Sequence, residues 1–409
     1  MALETLGCKL NQAESEGIGR ALAAAGCLLV GPDEEADIYI LNSCTVTHVA
    51  DRKSRQCLRQ ARRRSPPALL VALGCYAAGE RDVFTRLGVG LVLDNTSKDR
   101  LIPMLAQMGY LGPPVPVEQT QARTRGMVIV QDGCDNFCSY CTVPHVRGRE
   151  KSYAAGEIVA AVNRRVAEGY LEVVLTGTEI GAYNWNGIGL AGLIARILNE
   201  TSIRRLRISS LQPQEITPAL LGLWRDPRLC PHFHLSLQSG SDTVLARMKR
   251  AYNSADYAQT LSRIRTLLPL AGITTDIIVG FPGETEHEFR QSLDFVAAMG
   301  FSRVHVFSYS PRRLTPAAEM PGQVEAALKK ERSRLMRVAG TGSAAAFRQS
   351  LLGRPQSVLW EETEDGICSG YSGNYVRVYA AGGTEMVNRI TTAIPLTVFR
   401  DGLWAEIQE

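Results

Sequence analysis

The sequence predicts a multidomain α/β protein with three parts. These are a small N-terminal α/β domain with a parallel sheet, a central (βα)6 partial barrel and a small C-terminal β-barrel. Three observations carry this reading. Apolar strand-like runs alternate with helical stretches, in short units before residue 108 and in longer ones after residue 127. Between the two sets, residues 109–126 hold three prolines and no periodicity, as a linker does. From residue 351 onward, Val, Tyr and Thr alternate with polar residues between glycines, a period-two pattern.

In the first domain, residues 1–108, apolar runs at 27–30, 37–41, 69–73 and 90–93 are separated by helical patterns at 12–25, 49–64 and 80–87. The central domain, 127–350, has strand candidates at 127–131, 171–175, 205–209, 232–237, 273–279 and 303–307, with helices such as 154–168, 254–268 and 286–298 between them. Six strand–helix units fall short of a full eightfold barrel. Residues 323–352 read as one or two basic helices, and 351–409 as a small β-barrel.

A chain of 409 residues suits about three domains. Lys+Arg 45 against Asp+Glu 41 leaves a net charge of only +4, so a nucleic-acid site must come from local clustering. The longest nearly apolar stretches, 21–31 and 68–79, are too short to cross a bilayer, and the N-terminus lacks a signal-peptide pattern. The expectation is a cytoplasmic chain with no membrane partner. In a reducing compartment, ten cysteines then point to metal or redox chemistry more than to disulfides.

Cys134, Cys138 and Cys141 form a Cx3Cx2C loop after the first barrel strand. Three thiolates on so short a loop converge on one metal, and soft sulfur selects zinc or iron–sulfur. Zinc would need a fourth ligand, for which His145 is the local candidate. Three ligands suit a [4Fe–4S] cluster with one open iron. Cys8, Cys44 and Cys75 each lie just beyond the carboxyl end of a predicted strand, where residues distant in sequence meet. Gly7 and Gly74 beside them allow close backbone approach. A second cluster or three buried thiols are the two readings; Cys27, Cys57, Cys230 and Cys368 read as packing thiols.

The Cx3Cx2C loop on a six-unit barrel resembles the radical S-adenosylmethionine enzymes. The segments Thr5-Leu6-Gly7-Cys8-Lys9-Leu10-Asn11-Gln12, Asn42-Ser43-Cys44-Thr45-Val46-Thr47 and Gln131-Asp132-Gly133-Cys134 narrow the resemblance to methylthiotransferases. So do Leu175-Thr176-Gly177-Thr178-Glu179, Leu237-Gln238-Ser239-Gly240 and Val279-Gly280-Phe281-Pro282-Gly283-Glu284. Lys9-Leu10-Asn11 is most similar to enzymes acting on N6-threonylcarbamoyladenosine beside the tRNA anticodon. Relatives acting on isopentenyladenosine or on a ribosomal-protein aspartate usually read otherwise there. Ser152-Tyr153, Ser236 and His145 depart from the family pattern.

The resemblance implies a set of roles. Cys134, Cys138 and Cys141 hold the [4Fe–4S] cluster that cleaves S-adenosylmethionine to a 5′-deoxyadenosyl radical, and Cys8, Cys44 and Cys75 hold an auxiliary [4Fe–4S] cluster. Thr176, Gly177, Thr178 and Glu179 meet the methionine end of S-adenosylmethionine, with Ser210, Gln238 and Arg250 as further contacts. No catalytic residue beyond the cluster ligands is assigned. An electron donor and a sulfur source are needed, and a monomer is expected. The alternatives are the two other methylthiotransferase substrates, or a non-catalytic iron–sulfur protein that binds tRNA.

For the tRNA anticodon stem-loop, residues 51–64 carry seven Lys/Arg in fourteen positions, with Arg52, Arg55, Arg59 and Arg62 on one helix face. The C-terminal segment resembles a TRAM domain. Tyr371 and Tyr375 beside Arg377 either stand exposed there and stack on unpaired bases or fill the barrel. Lys329, Lys330, Arg332, Arg334 and Arg337 extend that positive surface or solvate a helix.

Overall fold

The computed structural model describes residues 1–111 and 124–408, so most of the expected linker lies outside the described residues. The chain divides into two compact units. One combines residues 1–120, 132–151 and 310–318; the other combines 121–131, 152–309 and 319–409.

The first unit is built on a four-stranded parallel sheet in the order β1 (Ala2–Thr5), β2 (Ile38–Ser43), β3 (Leu69–Gly74) and β4 (Leu91–Leu93). Every residue of β2 is buried. Such strands, covered on both faces, read as continuous apolar runs, which is how β2 and β3 stood out. Helix α1 (Lys9–Ala24) follows β1, and α2 (His48–Arg64) follows β2 with Thr47 accepting the Ala50 N–H as its cap. The run at 27–30 is not a strand. Gly26 adopts a left-handed conformation after α1, Leu28 is 79% exposed, and only Val30 makes an isolated bridge, to Ala2. Apolar composition there marks an edge that lacks pairing partners.

In the second unit, six parallel strands follow one another in space as in sequence. β5 (Arg125–Ile129), Glu172–Thr176 and Arg205–Ile208 form one sheet, and β5 starts two residues inside the expected linker. The third strand resumes at Ser210–Leu211 and there joins His232–Leu235, Gly272–Val279 and Arg303–Ser308. Alternate residues divide cleanly. Val173, Leu175, Leu206, Ile208, Phe233, Leu235, Ile273 and Ile277 lie in the helix-packed core, each worth about 1.5–3 kcal/mol when fully buried. The intervening residues face the helix-free inner side.

The helices start where the sequence caps them. Asn253 with Asp256 begins Ser254–Leu267, and Thr285 with Glu288 begins Glu286–Ala298, both as reciprocal capping boxes. The basic segment forms one helix, Ala326–Ser350. Its cations do not all face water: Arg332 is buried on Glu284 at 2.9 Å, and Lys329 lies over the Tyr309 ring at 5.2 Å. The C-terminal segment closes into a five-stranded barrel, Gln356–Glu364, Ile367–Ser372, Arg377–Ala381, Ile390–Phe399 and Gly402–Ile407. Among the described residues, no helix is long and apolar enough to cross a membrane.

Candidate functional site

At the carboxyl edge of the first unit's sheet, Cys8 stands at the N-terminus of α1, Cys44 directly follows β2 and Cys75 directly follows β3. Their thiols are free, Cys44 and Cys75 being buried and Cys8 exposed. Burial first, and then the Cys75 and Cys8 charges, push the Cys44 thiol up to about 12, so the three sulfurs share one electrostatic environment. Asn11 laces the edge, donating to the carbonyls of Leu6 at 2.9 Å and Ser43 at 3.1 Å. The glycines are required here. Gly7 has φ +116°, and a Cβ on it would lie 2.9 Å from the Cys44 Cβ; Gly74 has φ +94°, and its Cβ would meet the Ser43 carbonyl at 2.5 Å. A soft, all-thiol donor set beside Cβ-free backbone fits an iron–sulfur cluster.

The Cx3Cx2C loop belongs to the same unit. Cys134 and Cys138 are buried and Cys141 is half-buried. Gly133 (φ +72°) passes so close to Arg149 that a Cβ would sit 2.0 Å from its carbonyl oxygen. His145 is exposed and meets Phe137 edge-on. What ties the loop down is a residue the sequence reading missed. Arg147 is buried and pairs with Glu14 at 3.0 Å, Asp132 at 2.9 Å and Asn11 Oδ1 at 2.6 Å. Asn95 adds a second tie, donating to the Val146 carbonyl at 2.7 Å and to Cys75 Sγ at 3.5 Å. Arg312 fastens residues 310–318 to the loop after β2 through Thr45 at 2.9 Å and Asp51 at 2.7 Å. Only long-range charge matching hints at these ties, and one sequence does not display it.

On α2, Arg52 and Arg59 are exposed. Arg55 donates to the Tyr76 hydroxyl at 2.6 Å, and Arg62 donates to the carbonyls of Pro66, Ala68 and Gly88 at 2.7, 2.9 and 2.9 Å. The periodic stripe is therefore partly committed to holding its own unit.

In the second unit, polar groups gather at the carboxyl ends of the strands. Thr176 is buried, and the backbone N–H groups of Thr178 and Glu179 donate to Gln131 Oε1 at 3.1 and 2.8 Å. Glu179 accepts from Gln212 Nε2 at 2.6 Å, and Glu215 accepts from the Gln212 N–H at 2.8 Å. Burial, and then the Glu179 charge, push the Glu215 carboxyl up to about 9, while Arg250 pulls it down. Gly181 leaves room for Glu215: a Cβ there would lie 1.9 Å from its carboxylate. Gln238 holds a left-handed backbone (φ +71°) with its N–H on the Asp276 carbonyl at 2.8 Å, and Ser210 is in register with His234. Arg250 donates to the Tyr252 hydroxyl at 3.0 Å. Glu215 lies outside the motifs quoted above; Gln131 opens the cysteine-loop motif, which does not reveal that its side chain accepts from the Thr178–Glu179 turn.

Tyr371 and Tyr375 are half-buried and do not present the open stacking face that the sequence suggests. They stack on each other with centroids 4.9 Å apart, beneath Arg125. The Arg207 guanidinium lies 4.5 Å from the Tyr375 centroid, and Arg125 donates to the Tyr375 hydroxyl at 2.9 Å. Half-apolar tyrosines here fill the joint between the small barrel and the strand array. Arg377 is half-buried on Glu362 at 2.9 Å.

Comparison with known proteins identifies the family. The Radical SAM superfamily profile matches residues 128–296, and that of the uncharacterized protein family UPF0004 matches residues 1–92. The threonylcarbamoyladenosine tRNA methylthiotransferase MtaB of Thermotoga maritima is 37% identical over 390 residues, covering 92% of this chain and 90% of that protein. The Bacillus subtilis protein of the same name is 34% identical, covering 95% and 92%. The tRNA-2-methylthio-N(6)-dimethylallyladenosine synthase of Moorella thermoacetica is 34% identical, covering 87% and 86%. Among solved structures, the radical S-adenosylmethionine methyltransferase TsrM of Kitasatospora setae shares the fold, with TM-score 0.54, 14% identity and coverage of 78% and 74%. The chain belongs to the radical S-adenosylmethionine methylthiotransferases.

Proposed function

We propose that this protein converts N6-threonylcarbamoyladenosine beside the tRNA anticodon to its 2-methylthio derivative, using S-adenosylmethionine and two [4Fe–4S] clusters. The observation that carries the proposal is the gathering of Cys8, Cys44 and Cys75 at one sheet edge, in the same compact unit as the Cys134, Cys138 and Cys141 loop. The names of the most similar relatives supply the tRNA substrate and favour the threonylcarbamoyl form.

Cys134, Cys138 and Cys141 would hold the cluster, which would supply one-electron chemistry to S-adenosylmethionine so that an unactivated C–H bond becomes reactive. The chain's own residues position the reactants. Arg147 clamps the loop to α1, so its three thiols keep a fixed spacing. Gln131 orients the Thr178–Glu179 turn, and Glu179 with Glu215 shares a proton that a cationic α-amino group would displace. Cys8, Cys44 and Cys75 would hold a second cluster, which would supply the sulfur chemistry. Exposed Arg52 and Arg59 contribute phosphate contacts. The enzyme works as a cytoplasmic monomer with an external electron donor and a sulfur source.

The test is an anaerobic assay of the reconstituted enzyme with reductant, S-adenosylmethionine and tRNA bearing threonylcarbamoyladenosine, read by mass spectrometry of the nucleosides. Wild type yields deoxyadenosine and the methylthio nucleoside. Cys44→Ala yields deoxyadenosine without the methylthio nucleoside, and Cys134→Ala yields neither. Intact clusters that release no deoxyadenosine would refute the enzyme reading and leave a tRNA-binding iron–sulfur protein.

A further inference from the structure

Within the second unit, His234, Asp276 and His305 form a cluster with no part in the scheme above. They lie on the fourth, fifth and sixth strands, and one donor atom of each falls within 4.8 Å of the others. Asp276 and His305 are register partners, as are His234 and Thr274. All three share the strand parity opposite to the core residues Phe233, Leu235, Ile273 and Ile277, and so face the inner side of the array.

The cluster is organised without being sealed. His234 Nδ1 is 2.8 Å from Thr274 Oγ1, and its Nε2 is 3.2 Å from Asp276 Oδ2. The rings of His234 and His305 are 5.9 Å apart. The His234 and Asp276 side chains keep 13% and 28% exposure, whereas Glu172 and Arg207 on the same inner face have 0%. Fixed polar groups with residual access, inside a parallel strand array, are what a ligand wall requires.

We propose that His234, Asp276 and His305 form the subsite that receives the N6 substituent of the target adenosine, and that they select a carboxylate-bearing ureido group over an apolar prenyl group. The inference rests on the proposed function. A threonylcarbamoyl group brings two ureido N–H donors, a hydroxyl and a carboxylate. Asp276 accepts from the N–H or O–H groups, and His305 donates to the carboxylate. His234, anchored on Thr274, holds Asp276 in position. A prenyl group offers none of these partners and would strip water from two imidazoles and a carboxylate, which is how a polar site rejects an apolar analogue. The same donors are a two-histidine, one-carboxylate set, so a divalent cation is the competing occupant to be tested.

The experiment measures the affinity of the reconstituted enzyme for anticodon stem-loops bearing threonylcarbamoyladenosine, dimethylallyladenosine or unmodified adenosine. Wild type, His305→Leu and Asp276→Asn are compared at matched melting temperature and cluster absorbance. Wild type should prefer the threonylcarbamoyl loop, and each variant should lose roughly tenfold of that preference. An unmoved preference, an equal loss on all three loops, or a wild type without preference overturns the subsite, while methylthio formation by wild type keeps the proposed function. A wild type that methylthiolates no tRNA overturns both. One equivalent of zinc or manganese bound beyond the cluster iron, and lost in His305→Leu, overturns the subsite in favour of a metal.

Discussion

The two ends of the six-strand array bury charge in opposite ways. At the amino-terminal end, Glu172 sits between Arg207 at 2.7 Å and Arg205 at 2.9 Å, with the Tyr375 ring over Arg207. Burial works to raise its carboxyl, yet Arg207 and Arg205 prevail and hold it at about 2. At the carboxyl end, Glu215 has another carboxylate, Glu179, as its neighbour and is pushed up to about 9. One end is neutralised and closed by the small barrel; the other keeps a charge conflict that only a proton or a cationic ligand relieves. Matched burial marks architecture, and conflicted burial marks a site.

The largest effect that tests this contrast is at the closed end. Arg207→Ala should cost about 3–5 kcal/mol in urea unfolding, since it removes one side of a fully buried pair. A loss below 1 kcal/mol would mean that Arg205 alone satisfies Glu172. Next, Tyr375→Ala should cost about 2 kcal/mol by losing ring stacking and cation–π contacts. It should also leave the salt slope of tRNA binding unchanged. A selective loss of RNA affinity at full stability would instead restore the base-stacking role read from the sequence.

The smallest effect is at the open end, and its sign follows from the raised Glu215 carboxyl. The stability tied to that group is fully present below the ordinary carboxylate range and is lost as pH rises toward about 9. Glu215→Gln keeps the neutral form, so between those limits its melting temperature should fall less than that of wild type. By pH 9 the wild-type melting temperature should have fallen further than that of Glu215→Gln, each 1 kcal/mol of the difference appearing as about 2–4 °C. Parallel curves would mean that Glu215 is ionised without cost.

The strands of the array were legible because Val, Ile and Leu recur at every second position against the helices. The cysteine loop was legible because its three cysteines lie within eight residues of one another. The strand ends before Cys44 and Cys75 were visible as apolar runs, whereas β1 before Cys8 is only four residues long and does not stand out as one. Arg147 and Arg332 were not, because burial of a guanidinium depends on a carboxylate that arrives from elsewhere in the fold. Tyr371 and Tyr375 misled for a related reason: a tyrosine suits a base and a domain joint equally. His234, Asp276 and His305 did leave a signal, as polar residues at alternate positions of strands whose other positions, Thr275 and Ser308 apart, are apolar. Parity within each strand, set beside the register between strands, would have grouped them.

The composition of the first unit also sets an order of events during synthesis. Its sheet and α1 are complete within the first 111 residues, but the Cx3Cx2C loop arrives at 132–151 and the Arg312 tie only with 310–318. A ribosome adds about 5–20 residues per second, so some ten seconds or more separate the first of these pieces from the last. During that interval the thiols at 8, 44 and 75 belong to an unfinished unit. Delivery of iron and sulfur to this protein is therefore best matched to the nearly complete chain, and a fragment ending before residue 310 should emerge as a poor acceptor however well its sheet has formed.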